Sequence, residues 1–216
     1  MTDVVELRRA RPKRSQLASD EDLRRSIFVA GKAEILANGY GATSFKAVAR
    51  RAGIPLRTAS RLMPTKLDLL RGMIQDTMDE FLSRMALAVN GRDLLASLET
   101  ILVECACLIL NPSAVGLKRI ALAERELFPE IADALYSEGM ERMPVALAAW
   151  LSAQRDRKAI DVDDPQTVAK MLVGMMTSDL HRDAMMGRRL PALEEEVRIR
   201  ARRCASLFLN GCATRH

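Results

Sequence analysis

Histidine is almost missing from this chain: His181 and His216 are the only two. There is no Glu-x-x-His pair of the kind that holds a helical di-iron site, no glycine-rich phosphate loop and no nucleophile elbow. The sequence therefore gives an enzyme little support, and neither a metal nor an organic cofactor is expected. Aromatic residues make up only 4% and β-branched runs are few, which disfavours sheets. Long apolar runs are absent too; a segment such as Val145 to Leu151 is far too short to cross a bilayer, so no membrane partner is expected. The amino terminus starts with charged residues and has no apolar stretch, so no secretory signal is read and a cytoplasmic protein is expected. Cysteine is sparse and badly spaced for chemistry. Cys105 and Cys107 are one residue apart, Cys204 and Cys212 are remote, and no pair has zinc or redox spacing. They are read as small apolar residues, a thiol sensor being the lesser alternative.

Hydrophobic residues nevertheless account for 49% of the 216 positions, with Ala, Leu, Met, Arg and Glu plentiful. That mixture favours helices, and an all-α protein is expected. The length suffices for one sizeable core, or for a small head with a body of roughly 100 to 200 residues. Charge is uneven along it. Residues 1–72 hold 15 Lys or Arg against 7 Asp or Glu, a net +8, whereas residues 73–216 hold 18 against 21, a net −3. Within the basic end, Arg8, Arg9, Arg11, Lys13 and Arg14 surround Pro12 without periodicity or bulky apolar residues. Residues 1–18 are read as a disordered basic arm that follows phosphates or the minor groove, the alternative being a solubilising tail.

The segment Ser44–Lys66 carries the most information. Phe45, Val48, Ala49 and Ala52 are spaced by three and four and share one helical face, while Lys46, Arg50 and Arg51 take the other. Gly53 follows where a helix is often ended by a residue at positive φ. Pro55 then suits the first turn of a second helix, Leu56 to Met63, which Pro64 stops. Thr65 and Asp68 form a capping pair for the next helix. Two short helices about a glycine turn form a helix-turn-helix, whose second helix is presented outward. On it Leu56, Ala59 and Met63 or Leu62 are expected to face inward, leaving Arg57, Thr58, Ser60 and Arg61 for DNA. Arginine can bond a guanine edge through two donors, and the hydroxyls can reach bases or phosphates. The alternative is an ordinary helical hairpin with a solvated basic face.

At these residues the chain resembles the TetR/AcrR family of bacterial regulators, through Ile27, Ala30, Gly39, Tyr40, Ala42, Thr43, Ser44, Val48, Ala49, Ala52, Gly53, Ile54, Thr58, Pro64, Lys66, Leu69 and Leu70. The match covers about the first third of the chain; the phrase AERELFPEI adds a weaker likeness in the body. The resemblance implies an all-helical homodimer with a three-helix DNA-binding head. A long helix joins that head to a carboxyl-terminal ligand-binding and dimerisation bundle, whose small-molecule inducer releases operator DNA. It implies phosphate contacts at Thr43 and Ser44, a groove contact at Thr58 and a phosphate contact at Lys66. The chain departs from the pattern where the family has a small Gly and a phosphate-binding Tyr: here stand Arg57 and Ser60. An aromatic or His is replaced by Leu62, and the following Phe by Met63.

The remaining chain reads as helices. Ser19 with Asp22 caps a first helix to about Asn38, and a long helix from Lys66, with Leu67, Leu70, Ile74, Phe81 and Met85 on its stripe, forms the mechanical link from head to body. Further helices are read over Arg92–Leu110, Leu117–Leu127, Pro129 toward Tyr136 and Gly139, Met143 to about Arg157, Pro165–His181 and a last one beginning after Pro191. In the last, Leu193, Val197, Ala201, Cys204, Leu207 and Phe208 form the stripe, with Glu194–Arg198 and Glu196–Arg200 as pairs one turn apart. The resemblance puts the dimer interface on the last two helices.

Candidate ligand-binding residues are Phe81, Met85, Leu102, Cys105, Trp150, Met171 and Met175, for which plain core is the alternative; His181 is a further candidate and Glu104 could meet a cationic ligand, both more readily read as surface residues. The domains are expected at 1–18 (arm), 19–72 (helix-turn-helix) and 73–216 (ligand binding and dimerisation). The expected function is a repressor released from its operator by a small apolar or drug-like molecule. The alternative is a helical interaction protein of the same architecture with weakened or lost DNA binding.

Overall fold

The structure is a computed structural model that describes residues 19–88, 93–188 and 194–212. The basic run expected to form an arm lies outside these, as do Leu193 and Pro191. The described residues form ten α-helices and one π-helical turn, with no strand among them.

Helix α1 (Asp20–Asn38) begins where the sequence says it should. Ser19 accepts the Asp22 amide, Asp22 accepts the Ser19 amide, and Gly39 at φ +84° ends the helix. Ser44 caps α2 (Phe45–Ala52) by accepting the Ala47 amide. Gly53 then adopts φ +68° and donates back to the end of α2. Pro55 opens α3 (Leu56–Leu62), and Thr65 with Asp68 caps α4 (Lys66–Ala88).

In the body, Asp93 caps α5 (Leu94–Leu110). The expected break at Asn111 and Pro112 exists, but the next helix starts there at once. Asn111 accepts the Ser113 amide and Pro112 takes the first position of α6 (Pro112–Glu124), five residues earlier than the apolar pattern marks it. Pro129 likewise starts α7 (Pro129–Leu135), which runs into a π-helical turn at Tyr136–Met140. Then come α8 (Arg142–Asp156), α9 (Pro165–Met185), capped by Asp164, and α10 (Glu194–Cys212). Among the described residues no single helix is long and apolar enough to cross a membrane.

Two apolar cores organise these helices. One unites α4, α5, α8, α9 and α10 around Phe81, Leu98, Ile101, Leu102, Leu147 and Leu172. The other contains the three head helices and the start of α4, and continues into the body through Leu117 and Ala121 of α6 and Ile131 and Ala134 of α7. The head therefore has no separate core of its own. Leu207, expected on the inner stripe of α10, is 67% exposed. Arg200 reaches across to Asp179 of α9, with contacts of 2.9 and 2.5 Å.

Candidate functional site

The outer face of the helix-turn-helix follows from what its helices bury. Val48 and Ala49 of α2 and Ala59, Leu62 and Met63 at α3 enter the head core. Both Leu62 and Met63 are therefore inward, whereas Leu56, expected beside them, is 45% exposed at the start of α3. By spacing Leu56 shares the face of Ala59 and Met63, but it is the first residue of α3, at the end of that stripe. Arg57 and Ser60 are exposed and Thr58 half-buried. Lys46, Arg50 and Arg57 are exposed and make no ion pair among the described residues. Ser44 caps α2, so the amides of Phe45 and Lys46 precede the first intrahelical bond and remain open to an anion.

Three of the seven expected DNA contacts are committed elsewhere. Thr43 is 5% exposed, and its hydroxyl donates to the Gly39 carbonyl at 2.6 Å. Lys66 Nζ donates to the carbonyls of Tyr40, Gly41 and Thr43 at 2.8, 3.3 and 3.4 Å and lies 4.3 Å from the centre of the Tyr40 ring. Its three protons are spent on the loop before α2, so it shapes the phosphate-facing end of that helix rather than offering a free charge. Arg61 makes a two-pronged bond to Asp20 of α1, at 3.0 and 2.8 Å. Beside it, the Arg61 guanidinium holds the Asp20 carboxyl below its usual range. Arg51 is similarly drawn to the buried Glu34, 2.6 Å away.

The same loop is gripped from the body. Glu124, at the end of α6, accepts the Tyr40 and Gly41 amides at 3.1 and 2.7 Å. Phe128 packs edge-on to Tyr40, with ring centres 5.6 Å apart. A Cβ on Gly39 would collide with the Glu124 carboxylate, and one on Gly41 would lie 2.6 Å from Phe128, so both glycines are needed for this approach.

A cavity of about 570 Å³ lies between α4, α5, α6, α8, α9 and the π-helical turn. Its wall includes Met73, Met78, Leu117, Met143, Val173 and Thr177, together with Lys118 and His181. None of the seven expected ligand residues lines it. Phe81, Met85, Leu102, Cys105 and Trp150 are packed in the body core, and burial pushes the Cys105 thiol up to about 12. Met171 and Met175 are 67% and 40% exposed on the outside of α9. His181, a pocket candidate more readily read as a surface residue, lines the cavity with Nε2 3.2 Å from Lys118 Nζ. Burial, and next the Lys118 charge, lower its pKa. Glu104 pairs with Arg84 at 2.8 Å. Lys118 escaped the sequence reading because the start of α6 was placed at Leu117, which hid the register of its inner face. Among the described residues, no group of three or more His, Cys, Asp or Glu could hold a metal ion.

Residues 96–211 match the family model of the AefR-like transcriptional repressor, C-terminal domain. No curated protein matches the chain. Among solved structures, a chain of Mesorhizobium loti assigned to the TetR family of transcriptional regulators superposes with a TM-score of 0.78 at 21% identity, covering 92% of this chain and 100% of that one. The flavonoid-responsive regulator FrrA gives 0.72 at 22%, covering 91% and 100%. A TetR transcriptional regulator of Agrobacterium tumefaciens gives 0.69 at 18%, covering 88% and 95%. At these identities the likeness is one of fold.

Proposed function

The chain belongs to the TetR family of transcriptional regulators, and we propose that it is a homodimeric repressor released from its operator when a small molecule enters the cavity between α4 and α9. In this reading residues 19–72 bind DNA, residues 73–216 bind ligand and dimerise, residues 1–18 form a basic arm, and the protein works in the cytoplasm. The observation that carries DNA binding is the exposed set Lys46 and Arg50 on α2 and Arg57 on α3, together with the open amides at the start of α2. Arg57, Thr58 and Ser60 read the groove, Leu56 contributes an apolar contact of the kind a thymine methyl accepts, and Ser44 presents amides to a phosphate.

Dimerisation is supported by Met171 and Met175 on α9 and Ile199 and Leu207 on α10, all large apolar residues left in water by the single chain. Transmission is supported by α6. It lines the cavity at Lys118, bonds the end of α9 through Arg119, and grips the head at Glu124. Lys118 and Glu124 are six residues apart, about 9 Å along a helix. In this reading α6 shares the linking role with α4, which enters both cores and borders the cavity.

Selection of bound duplexes from a random-sequence pool tests the reading. The expected product is a pair of inverted half-sites spaced by about one helical turn or more, bound in a salt-sensitive way. Failure to retain any duplex at low salt would instead favour the helical interaction protein, a reading that the internal use of Thr43, Arg61 and Lys66 supports.

A further inference from the structure

The charged groups on the cavity wall do not balance. Glu80 is a carboxylate on that wall, and it lies 4.0 Å from Arg84, which also pairs with Glu104. Lys32, Lys118 and Lys170 are there as well, and none makes an ion pair among the described residues. Lys170 is exposed, so water solvates it. Lys32 and Lys118 are half-buried. Lys118 lies between α6 and α9, and its Nζ faces a ring nitrogen rather than a carboxylate, 3.2 Å away. A neutral imidazole accepts one ammonium proton when its own proton sits on Nδ1, and the remaining donors and the charge have no acidic partner among the described residues. Desolvation lowers the Lys118 pKa, the response of a cation that lacks an anion.

We infer that this cavity takes an apolar molecule bearing one acidic group, with the acid bonded to Lys118 Nζ beside His181. This rests on the ligand-responsive reading and sharpens the apolar inducer expected from sequence into an amphipathic anion. Met73, Met78, Leu117, Met143 and Val173 supply the apolar wall for the rest of the molecule, and the thioether side chains adapt to an irregular shape. A carboxylate, sulfonate or similar anion would complete the bond set of Lys118, whereas a neutral analogue would leave the buried charge as it is. The acid would also sit on α6, the helix whose last residue holds the head loop.

Two fluorescent probes with the same ring system test this on the full chain: 1-anilinonaphthalene-8-sulfonate, and N-phenyl-1-naphthylamine, which lacks the sulfonate. The sulfonate probe is expected to saturate a single site and to bind about tenfold or more tighter than the neutral one. Lys118→Met should abolish that preference by weakening the sulfonate probe about tenfold while leaving the neutral probe within about threefold. Lys118→Arg should keep the preference. Equal affinities in the unaltered chain, parallel loss of both probes in Lys118→Met with native melting, or binding of neither probe would overturn the inference. Should Lys118→Met not fold, the comparison on the unaltered chain decides alone. Duplex retention is measured separately: retention without the anion preference overturns this inference only, and preference without retention overturns the regulator reading only.

Discussion

Glu124 holds Gly41 across the boundary between body and head: one oxygen of its carboxylate accepts the Gly41 amide at 2.7 Å while the other accepts that of Tyr40. The two residues are 83 positions apart in sequence. The bond makes the loop before α2 answerable to α6. Because a carboxylate accepting two amides in a partly buried place is worth about 1 to 3 kcal/mol, Glu124→Ala should lower the melting temperature by several degrees, about 2–4 °C per kcal/mol for a chain of this size. The more telling measurement is coupling. Glu124→Ala should keep probe affinity in the cavity while the probe loses most of its effect on DNA affinity; an undiminished effect would remove α6 as the transmitter.

Lys66 and Lys46 should fail differently. Lys66 is bound to three loop carbonyls, whereas Lys46 is exposed on α2 without an ion pair among the described residues. Lys46→Ala should reduce the log–log salt slope of DNA binding by about one for each subunit that loses its phosphate contact. Lys66→Ala should weaken binding and lower the melting temperature but leave the slope nearly as it was. A lost unit of slope per subunit in Lys66→Ala would restore that lysine as a phosphate contact.

The head was legible because its punctuation is local. Ser19 with Asp22, Gly53, Pro55, and Thr65 with Asp68 each settle a boundary through bonds spanning two to four residues, and all appear where the pattern puts them. The cavity was not legible, because its wall joins residues from eight elements and depends on which turn of each helix faces inward. Large apolar residues such as Phe81 and Trp150 were natural candidates, but their size suits them to fill the core rather than to border a space. The commitment of Lys66, Thr43 and Arg61 was invisible for the same reason. The partners of Lys66 and Arg61 lie 23 or more positions away, and the bond of Thr43 to Gly39, four residues back, forms only once the loop is folded.

Arg57 and Arg61, one helical turn apart on α3, should separate reading from fastening. Arg57 is exposed without an ion pair among the described residues, while Arg61 is clipped to Asp20. Arg57→Ala should weaken binding to the selected duplex about tenfold or more and broaden the selected sequence, with melting unchanged. Arg61→Ala should alter the selected sequence less than Arg57→Ala does. Gel-shift titrations at fixed salt compare the two, and equal loss of specificity would show that Arg61 leaves Asp20 to meet a base.

His181 is the only histidine among the described residues, which makes the response of this protein to mild acid attributable. Burial, and then the charge of Lys118, depress its pKa below the ordinary 6.5. The folded state therefore resists taking a proton that the unfolded chain accepts. Stability from this group is complete above pH 6.5 and is lost as pH falls from there toward the lower folded value. Lys118 faces it directly, with Lys32, Lys170, Arg84 and Glu80 also on the cavity wall. Melting temperatures of the unaltered chain should therefore fall over that interval, and His181→Gln should flatten the fall. An anion on Lys118 would favour the protonated ring, so the sulfonate probe should flatten it as well; a decline unchanged by both the substitution and the probe would place the titrating group elsewhere.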